Sequence, residues 1–209
     1  MIKILIADDH AIVREGLKQI LAEEPDMKVT GEAGDANELF GLLKNDVWDA
    51  VVLDINMPGK SGLEALKDLK KEFADLPVLI LSMYSEEQYG IRALKAGASG
   101  YLKKASAPNE FVTALRTIIK GKKYISPSLA ENLADNINPL HPLSNKLSDR
   151  EYEILCKIAQ GHSTEDIANE LCISVHTVYT YRNRILDKLN LKTNVELTQY
   201  AIQNKLIEL

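Results

Sequence analysis

The chain has 209 residues, a hydrophobic content of 45% and a net charge of −5 at pH 7. This composition excludes an intrinsically disordered protein, which would contain few apolar residues. No apolar run approaches the roughly 20 residues that span a bilayer, and the N-terminus lacks the basic region and cleavage site of a signal peptide. We therefore expect a cytoplasmic protein that does not contact a membrane and that contains one large or two small domains.

Neither end of the chain is basic overall. Residues 147–209 hold 7 basic and 9 acidic side chains, so a nucleic-acid partner would need a local cluster of positive charge. The two cysteines, Cys156 and Cys172, lie in apolar helical patterns and are too few for a metal site. We predict that both are reduced core residues.

Five short apolar runs alternate with amphipathic helical patterns over the first half of the chain. The runs are too short and too β-branched for helices, and they predict strands near 2–7, 28–33, 50–54, 77–82 and 99–103. Leucines at helical spacing mark most of the segments between them. Five β–α units in series predict an α/β fold, a doubly wound parallel sheet with helices on both faces.

Three carboxylates end two of these strands. Asp8 and Asp9 follow the first strand, and Asp54 ends the third. The carboxyl ends of parallel strands share one edge of the sheet, where ligands bind. Gathered carboxylates repel one another unless a cation lies among them, and a site made only of oxygen atoms favours Mg²⁺. We predict a Mg²⁺ site there, with the carbonyl oxygen of Asn56 as a further ligand.

Two other polar residues follow strands of the same sheet. Ser82 ends the fourth strand, and Lys104 follows the fifth. A hydroxyl, an ammonium and a central carboxylate suit phosphoryl transfer to that carboxylate. In this interpretation Asp54 attacks phosphorus, Lys104 neutralises charge on the phosphoryl oxygens, and Ser82 donates a hydrogen bond to one of them.

These residues resemble the receiver domain of two-component response regulators over about residues 1–120. The motifs that carry the resemblance are Asp8-Asp9, Asp54 with Met57-Pro58-Gly59, Ser82, and the run from Gly97 to Lys104. The resemblance implies a flavodoxin-like fold and phosphorylation of Asp54 by a partner sensor histidine kinase or a small phosphodonor. It also implies that Asp9, Asp54 and the Asn56 carbonyl bind Mg²⁺ directly, that Asp8 acts through water, and that Ser82 and Tyr101 form a switch pair.

The pattern changes after the fifth β–α unit. Glycine, proline and asparagine are frequent in residues 121–146, which predicts a linker, with a short helix around 128–136. The rest of the chain is helical, and two of its helices are joined by so tight a turn that they indicate a helix-turn-helix. We expect three parts, a phosphoacceptor domain, a linker, and a small all-α domain of four helices, with the bounds 1–122, 123–145 and 146–209.

The third C-terminal helix, predicted from Ser174 to about Leu189, has two distinct faces. Its apolar side chains face the bundle. The opposite face presents polar groups that could reach base edges in a major groove, namely His176, Tyr179, Thr180 and Asn183. Hydroxyl and basic side chains on its flanks supply the local positive charge, namely Thr177, Arg182, Arg184, Lys188 and Lys192.

This C-terminal segment resembles the LuxR-type helix-turn-helix over about residues 145–207. The matching runs are Leu147–Glu151, Gly161–Ala168, Ile173–Val178 and Ile185–Leu189. A receiver followed by this module resembles the NarL/FixJ subfamily, which implies a transcription factor that binds double-stranded DNA as a homodimer when phosphorylated. The resemblance implies base contacts from Tyr179, Thr180 and Asn183, and phosphate contacts from Thr164, Thr177, Arg182 and Lys188.

Phosphorylation of Asp54 is expected to draw Ser82 toward the phosphoryl group, to turn Tyr101 inward, and to repack the helix at 86–96, which has the weakest apolar face. Two other functions stay open at the level of sequence. A Mg²⁺-dependent phosphohydrolase would use the same aspartyl chemistry, but the chain has no cap insertion and position 56 is Asn. A regulator that acts by protein contact alone would use the helical module as an interaction surface.

Overall fold

The computed structural model describes residues 1–136, 146–204 and 206–207. The chain divides into two compact units, Met1–Ala130 and Glu131–Leu209. The part of the predicted linker at 137–145 lies outside the described residues. Within the described ranges, none of the helices combines the length and the apolar character that crossing a bilayer requires.

The first unit is built on a five-stranded parallel sheet, which confirms the predicted fold class. Its strands are β1 (Ile2–Ala7), β2 (Met27–Ala33), β3 (Ala50–Asp54), β4 (Val78–Ser82) and β5 (Gly100–Lys103). The strand order is β2-β1-β3-β4-β5, and every neighbouring pair is parallel. The direction of winding therefore reverses between β1 and β3, and the crevice that ligands occupy in such sheets opens beyond their carboxyl ends.

Five helices cover the two faces of this sheet, namely α1 (Ala11–Ala22), α2 (Ala36–Asn45), α3 (Gly62–Glu72), α4 (Glu86–Lys95) and α5 (Pro108–Ile119). Ile4, Ile6 and Val52 form one core with side chains of α1 and α5, including Leu17 and Phe111. The alternate residues of the central strands are also fully buried. Burial on both faces explains why the strands appear in the sequence as continuous apolar runs.

A glycine sets the start of α3 directly beneath the end of β3. The N–H of Gly62 donates to the carbonyl oxygen of Ile55 at 2.8 Å. A Cβ atom at position 62 would lie 1.9 Å from the carbonyl oxygen of Asp54. The backbone after Asp54 can therefore turn this tightly only because residue 62 has no side chain.

The second unit is helical. Helix α6 (Pro127–Asn136) begins in the first unit, and four helices follow it, namely α7 (Asp149–Ala159), α8 (Thr164–Glu170), α9 (Val175–Leu189) and α10 (Asn194–Gln203). Ser148 and Glu151 form the predicted capping box at the start of α7. Helix α9 packs on α7 and α8, and α10 packs on α7. The helix-turn-helix predicted from sequence is thus present as α8 and α9.

One prediction for this unit was wrong. Cys156 is buried, but Cys172 is exposed, and neither cysteine forms a disulfide. Cys172 adopts a left-handed backbone conformation with φ of 51° in the turn between α8 and α9. A turn this short reverses the chain at that residue and directs its side chain to solvent, so the apolar pattern of the flanking helices does not extend to it.

A buried ion pair lies inside α7. The guanidinium of Arg150 donates to Glu153 at 2.8 Å and to the carbonyl oxygen of Leu171 at 3.0 Å. Both charged side chains are almost fully buried. Because the pair also satisfies a carbonyl at the end of α8, it joins the two helices and avoids an unpaired buried charge.

Candidate functional site

The ends of β1 and β3 bring the predicted acids together. The Asp8 and Asp54 side chains are only 2% and 1% exposed, whereas Asp9 lies at the rim. One ligand atom from each of Asp8, Asp9, His10 and Asp54 can be chosen so that all four lie within 4.8 Å of one another. Three carboxylates are therefore close enough to share one cation.

Lys104 enters the same crevice from the end of β5. Its Nζ lies 2.7 Å from Asp8 Oδ2 and 2.8 Å from Asp54 Oδ2, and its side chain is 6% exposed. Burial raises the pKa of Asp54 to about 6, although Lys104 opposes that rise. Burial also disfavours the charged form of Lys104, but the two carboxylates outweigh it and raise the pKa of the ammonium. The central carboxylate is therefore desolvated, with one cation at one of its oxygen atoms.

The remaining oxygen atoms suit a hard divalent ion. Among the described residues, Asp54 Oδ1 and Asn56 Oδ1 are buried without a hydrogen-bond partner. Buried polar atoms normally have a partner, so the orphaned Asp54 oxygen beside the carboxylates of Asp8 and Asp9 indicates a place for a cation. An all-oxygen donor set fits Mg²⁺. The Asn56 side-chain oxygen is a feature that the sequence did not indicate, because the prediction invoked only the backbone carbonyl.

His10 is a residue of this site that sequence reasoning missed. Its Nδ1 lies 2.6 Å from Asp9 Oδ1 and 3.4 Å from Asp8 Oδ1, and its side chain is 59% exposed. Its backbone N–H donates to Asp8 Oδ1 at 2.9 Å. The position directly after the two acids was the available signal. The backbone bond fixes one Asp8 oxygen, while Lys104 holds the other.

Ser82 and Tyr101 lie beside this crevice and are fully buried. The backbone N–H of Tyr84 donates to Ser82 Oγ at 3.2 Å, and the Tyr101 hydroxyl donates to the Tyr84 carbonyl at 2.9 Å. Burial raises the pKa of Tyr101 well above its usual range. From the sequence, we expected this ring to turn inward when Asp54 is phosphorylated. In this structure the ring lies inward, and the Tyr84 carbonyl accepts the hydrogen bond from its hydroxyl.

The two faces of α9 differ as the sequence predicts. Val178, Ile185 and Leu186 are buried, and Tyr181 and Leu189 are half-buried. The residues predicted to reach DNA are exposed at six positions, namely His176, Tyr179, Asn183, Arg184, Lys188 and Lys192. Four others are half-buried, namely Thr164, Thr177, Thr180 and Arg182. The structure thus groups nine of these ten side chains on or just beyond one helix, and Thr164 opens α8.

Several of these polar groups already have protein partners. Arg182 Nε donates to Asn194 Oδ1 at 2.6 Å, and Arg182 Nη1 donates to Asn183 Oδ1 at 3.2 Å. Lys188 Nζ lies 2.7 Å from a buried oxygen of Glu151. The Arg184 guanidinium lies 5.9 Å from the centre of the Tyr181 ring. These contacts hold the basic side chains in defined positions along α9.

Both halves of the chain match known families. The response regulator receiver domain family matches residues 4–116. The luxR family of bacterial regulatory proteins matches residues 145–201. The first match ends inside α5, and the second begins just before α7. The site residues from Asp8 to Lys104 therefore fall within the first match, and all the residues predicted to contact DNA fall within the second.

Proteins of similar length match over nearly the whole chain. The chain is 39% identical over 216 residues to the oxygen regulatory protein NreC of Staphylococcus epidermidis, a match that covers 99% of both chains. It is 36% identical over 211 residues to the response regulator GacA of Pseudomonas aeruginosa, a match that covers 100% of this chain and 99% of GacA. A solved complex of the two-component response regulator RcsB with DNA superposes with a TM-score of 0.61 at 27% identity, and it covers 96% of this chain and 98% of that one.

Proposed function

We propose how the residues of this chain accept a phosphoryl group and bind DNA, because the chain belongs to the NarL/FixJ subfamily of two-component response regulators. In that subfamily a receiver domain precedes a LuxR-type DNA-binding domain. The protein is a phosphorylation-dependent DNA-binding transcriptional regulator and not an enzyme. Its partners are a sensor histidine kinase and double-stranded DNA. We assign acceptance of the phosphoryl group to residues 1–122 and DNA binding to residues 146–209.

Asp54 accepts the phosphoryl group. A carboxylate oxygen of Asp54 attacks phosphorus, an O–P bond forms, and the bond from phosphorus to the donor, a phosphohistidine nitrogen of the kinase, breaks. Lys104 already lies at the other oxygen and neutralises charge that develops on the phosphoryl oxygens. The hydroxyl of Ser82 donates a hydrogen bond to one of those oxygens. The observation that carries this proposal is the orphaned, buried Oδ1 of Asp54 beside the ammonium of Lys104.

A Mg²⁺ ion belongs to this site by the chemistry of its donors. Asp9, Asp54 and the Asn56 carbonyl would hold it directly, and Asp8 would act through water. When bound, the ion neutralises negative charge on the phosphoryl oxygens. His10 stands at the rim beside Asp9, where it restrains the orientation of that carboxylate.

Helix α9 reads DNA. Tyr179, Thr180 and Asn183 lie on the face that would enter the major groove, where they contact base edges. His176 lies at the N-terminal end of that face. Phosphates are contacted by the flanking basic and hydroxyl groups, namely Thr164, Thr177, Arg182, Arg184, Lys188 and Lys192. A single copy makes few phosphate contacts and binds weakly, so two copies pair on a two-fold-related site after phosphorylation. Because the partner is chromosomal DNA, we place the protein in the cytoplasm.

The decisive experiment compares the full chain with Asp54→Asn. The wild type treated with beryllofluoride and Mg²⁺ is expected to dimerise and to shift a set of genomic DNA fragments at fixed salt, whereas Asp54→Asn is expected to show neither response. Asp75→Asn is the control, since Asp75 is an exposed acid before β4, at the opposite end of the sheet. Equal DNA binding by all three proteins with and without beryllofluoride would reject phosphorylation of Asp54 as the signal.

A further inference from the structure

The segment that follows α5 does not leave the sheet. The N–H of Tyr124 donates to the Ser99 carbonyl at 2.8 Å, and Tyr124 forms a parallel bridge with Gly100 of β5. Its hydroxyl donates to Glu110 of α5 at 3.0 Å. The chain therefore runs along the outer edge of β5, and the residues that follow Tyr124 contact the neighbouring helix α4.

Two serines then bind a buried carboxylate of α4. Glu86 is only 6% exposed, and its Oε2 accepts hydrogen bonds from Ser126 Oγ and from Ser128 Oγ, the latter at 2.6 Å. Ser126 Oγ in turn accepts the N–H of Leu129 at 3.1 Å, within the first turn of α6. A buried carboxylate costs free energy unless it is hydrogen-bonded. The burial of Glu86 and the start of α6 therefore depend on each other.

A glycine one turn along α4 completes the contact. Leu129 is fully buried, and a Cβ atom at Gly90 would lie 2.6 Å from its Cδ1 atom. Leu129 thus fills a space that exists because residue 90 has no side chain. We call these five residues, Glu86, Gly90, Ser126, Ser128 and Leu129, the linker clamp. All five lie within the first compact unit.

The same helix is joined to the switch pair at its N-terminal end. The rings of Tyr84 and Tyr89 stack with their centroids 4.7 Å apart. Tyr84 accepts the hydroxyl of Tyr101 and donates its N–H to Ser82, as described above. Tyr89 belongs to α4 and precedes Gly90 directly. A movement of Ser82 toward a phosphoryl group breaks its hydrogen bond with Tyr84 and is therefore transmitted through Tyr84 and Tyr89 to the residues that hold the linker.

We propose that α4 is a docking surface for the chain's own linker, and that phosphorylation of Asp54 changes the occupancy of that surface. The inference rests on the function proposed above and adds the output step to it. Repacking of α4 separates Glu86 from its two serines and moves Gly90 away from Leu129. The linker contacts α4 through two hydrogen bonds to one carboxylate and through one side chain packed against a glycine. A movement of α4 breaks these contacts together, so the linker is either bound to α4 or released from it.

Hydrogen exchange of the full chain tests this proposal, with beryllofluoride and Mg²⁺ as the probe. In the wild type, the probe is expected to speed exchange at the amides of 128–130 by roughly tenfold, together with a change in α4. Gly90→Ala is expected to displace the Leu129 side chain, so the amides of 128–130 exchange rapidly in both conditions while α4 still responds. Gly41→Ala is the matched control, because a Cβ atom at this helical glycine meets nothing within 4 Å. It should behave as the wild type.

A second variant separates the hydrogen bonds from the apolar seat. The double change Ser126→Ala and Ser128→Ala leaves Gly90 intact and should also release 127–130. If the probe alters α4 in the wild type but leaves 127–130 unchanged, the docking proposal is wrong and phosphorylation of Asp54 still stands. If the double serine variant keeps the wild-type response at 127–130, the proposal is equally wrong. If the probe alters neither α4 nor the linker, both proposals fail together.

Discussion

The ammonium of Lys104 reaches across the crevice to the carboxylate of Asp54 and lies 2.8 Å from it, although fifty positions separate the two residues in the chain. Lys104 therefore places its positive charge beside carboxylate oxygens that a divalent cation would also bind. Under the function proposed here, the Mg²⁺ ion and Lys104 would compete for the oxygens of Asp54, and this competition predicts the effect of replacing the lysine.

Lys104→Met is expected to bind Mg²⁺ about 2- to 10-fold more tightly than the wild type, because one competing positive charge is removed. Its response to beryllofluoride should weaken at the same time, because the phosphoryl oxygens lose a partner. Isothermal titration measures the first effect and dimerisation the second. Lys103→Met, one residue earlier, is the control and should change neither. Weaker Mg²⁺ binding in Lys104→Met would contradict the competition.

Gly62→Ala should destabilise the receiver unit strongly. The added methyl group would meet the Asp54 carbonyl oxygen at 1.9 Å, and backbone cannot yield as a flexible side chain can. We expect a loss of about 3 kcal/mol in the free energy of unfolding, or a misplaced Asp54. Gly16→Ala in α1 has open space and should be neutral or slightly stabilising. Chemical denaturation of both variants measures the difference, and equal stabilities would show that the turn after β3 is looser than described.

The second unit should lose stability in acid through Glu151. Burial raises the pKa of this carboxyl, but hydrogen bonds from Lys188 and from Ser148 outweigh it and hold the pKa below its usual range. A carboxyl whose pKa is lower in the folded state stabilises the fold above its unfolded pKa. That contribution disappears as the pH falls through the folded value. We expect about 1 kcal/mol, reduced by the solvent exposure of Lys188.

Thermal unfolding of Glu151→Gln in the full chain checks this expectation. The variant should be less stable than the wild type at pH 7, and the difference should shrink as the pH falls below 4. Glu196→Gln is the control, because Glu196 accepts a backbone N–H near the start of α10 at an exposed site. A difference between wild type and Glu151→Gln that stays constant with pH would show that the charge of Glu151 contributes nothing.

Substitutions along α9 should separate two kinds of DNA contact. Arg184→Ala is expected to weaken binding similarly for all sequences and to reduce the slope of log affinity against log salt by about 1. Tyr179→Ala is expected to leave that slope unchanged and to relax sequence preference, at a cost of about 1–3 kcal/mol on the preferred site. Selected genomic fragments at several salt concentrations provide the measurement. Lys28→Ala, on β2 of the receiver unit, should alter neither quantity.

The sequence predicted most of the receiver because local and global signals agree there. Asp9, Asp54 and Lys104 lie at or just beyond the carboxyl ends of different strands. In a parallel sheet all carboxyl ends lie at the same edge, so these residues are brought together. The helices of the second unit were equally predictable, since the Ser148 and Ser163 boxes mark their starts.

The parts that the sequence did not predict depend on contacts between distant residues. The bond between Glu86 and Ser126 spans forty positions, and neither residue belongs to a periodic pattern that announces it. The exposure of Cys172 follows from one left-handed residue in a turn, which an apolar pattern cannot predict. The partner of the Tyr101 hydroxyl is the Tyr84 carbonyl, a backbone group that a list of side chains does not contain.

The bridge between Gly100 and Tyr124 bears on where the receiver can be cut. An outermost strand with free backbone groups invites pairing with another molecule, which leads to aggregation. A fragment that ends at residue 122 lacks Tyr124, so the outer edge of β5 has no backbone partner there. It also lacks the two serines that donate hydrogen bonds to the Glu86 carboxylate. A fragment that extends to Ala130 keeps both, so the shorter piece should precipitate or self-associate where the longer one stays monodisperse.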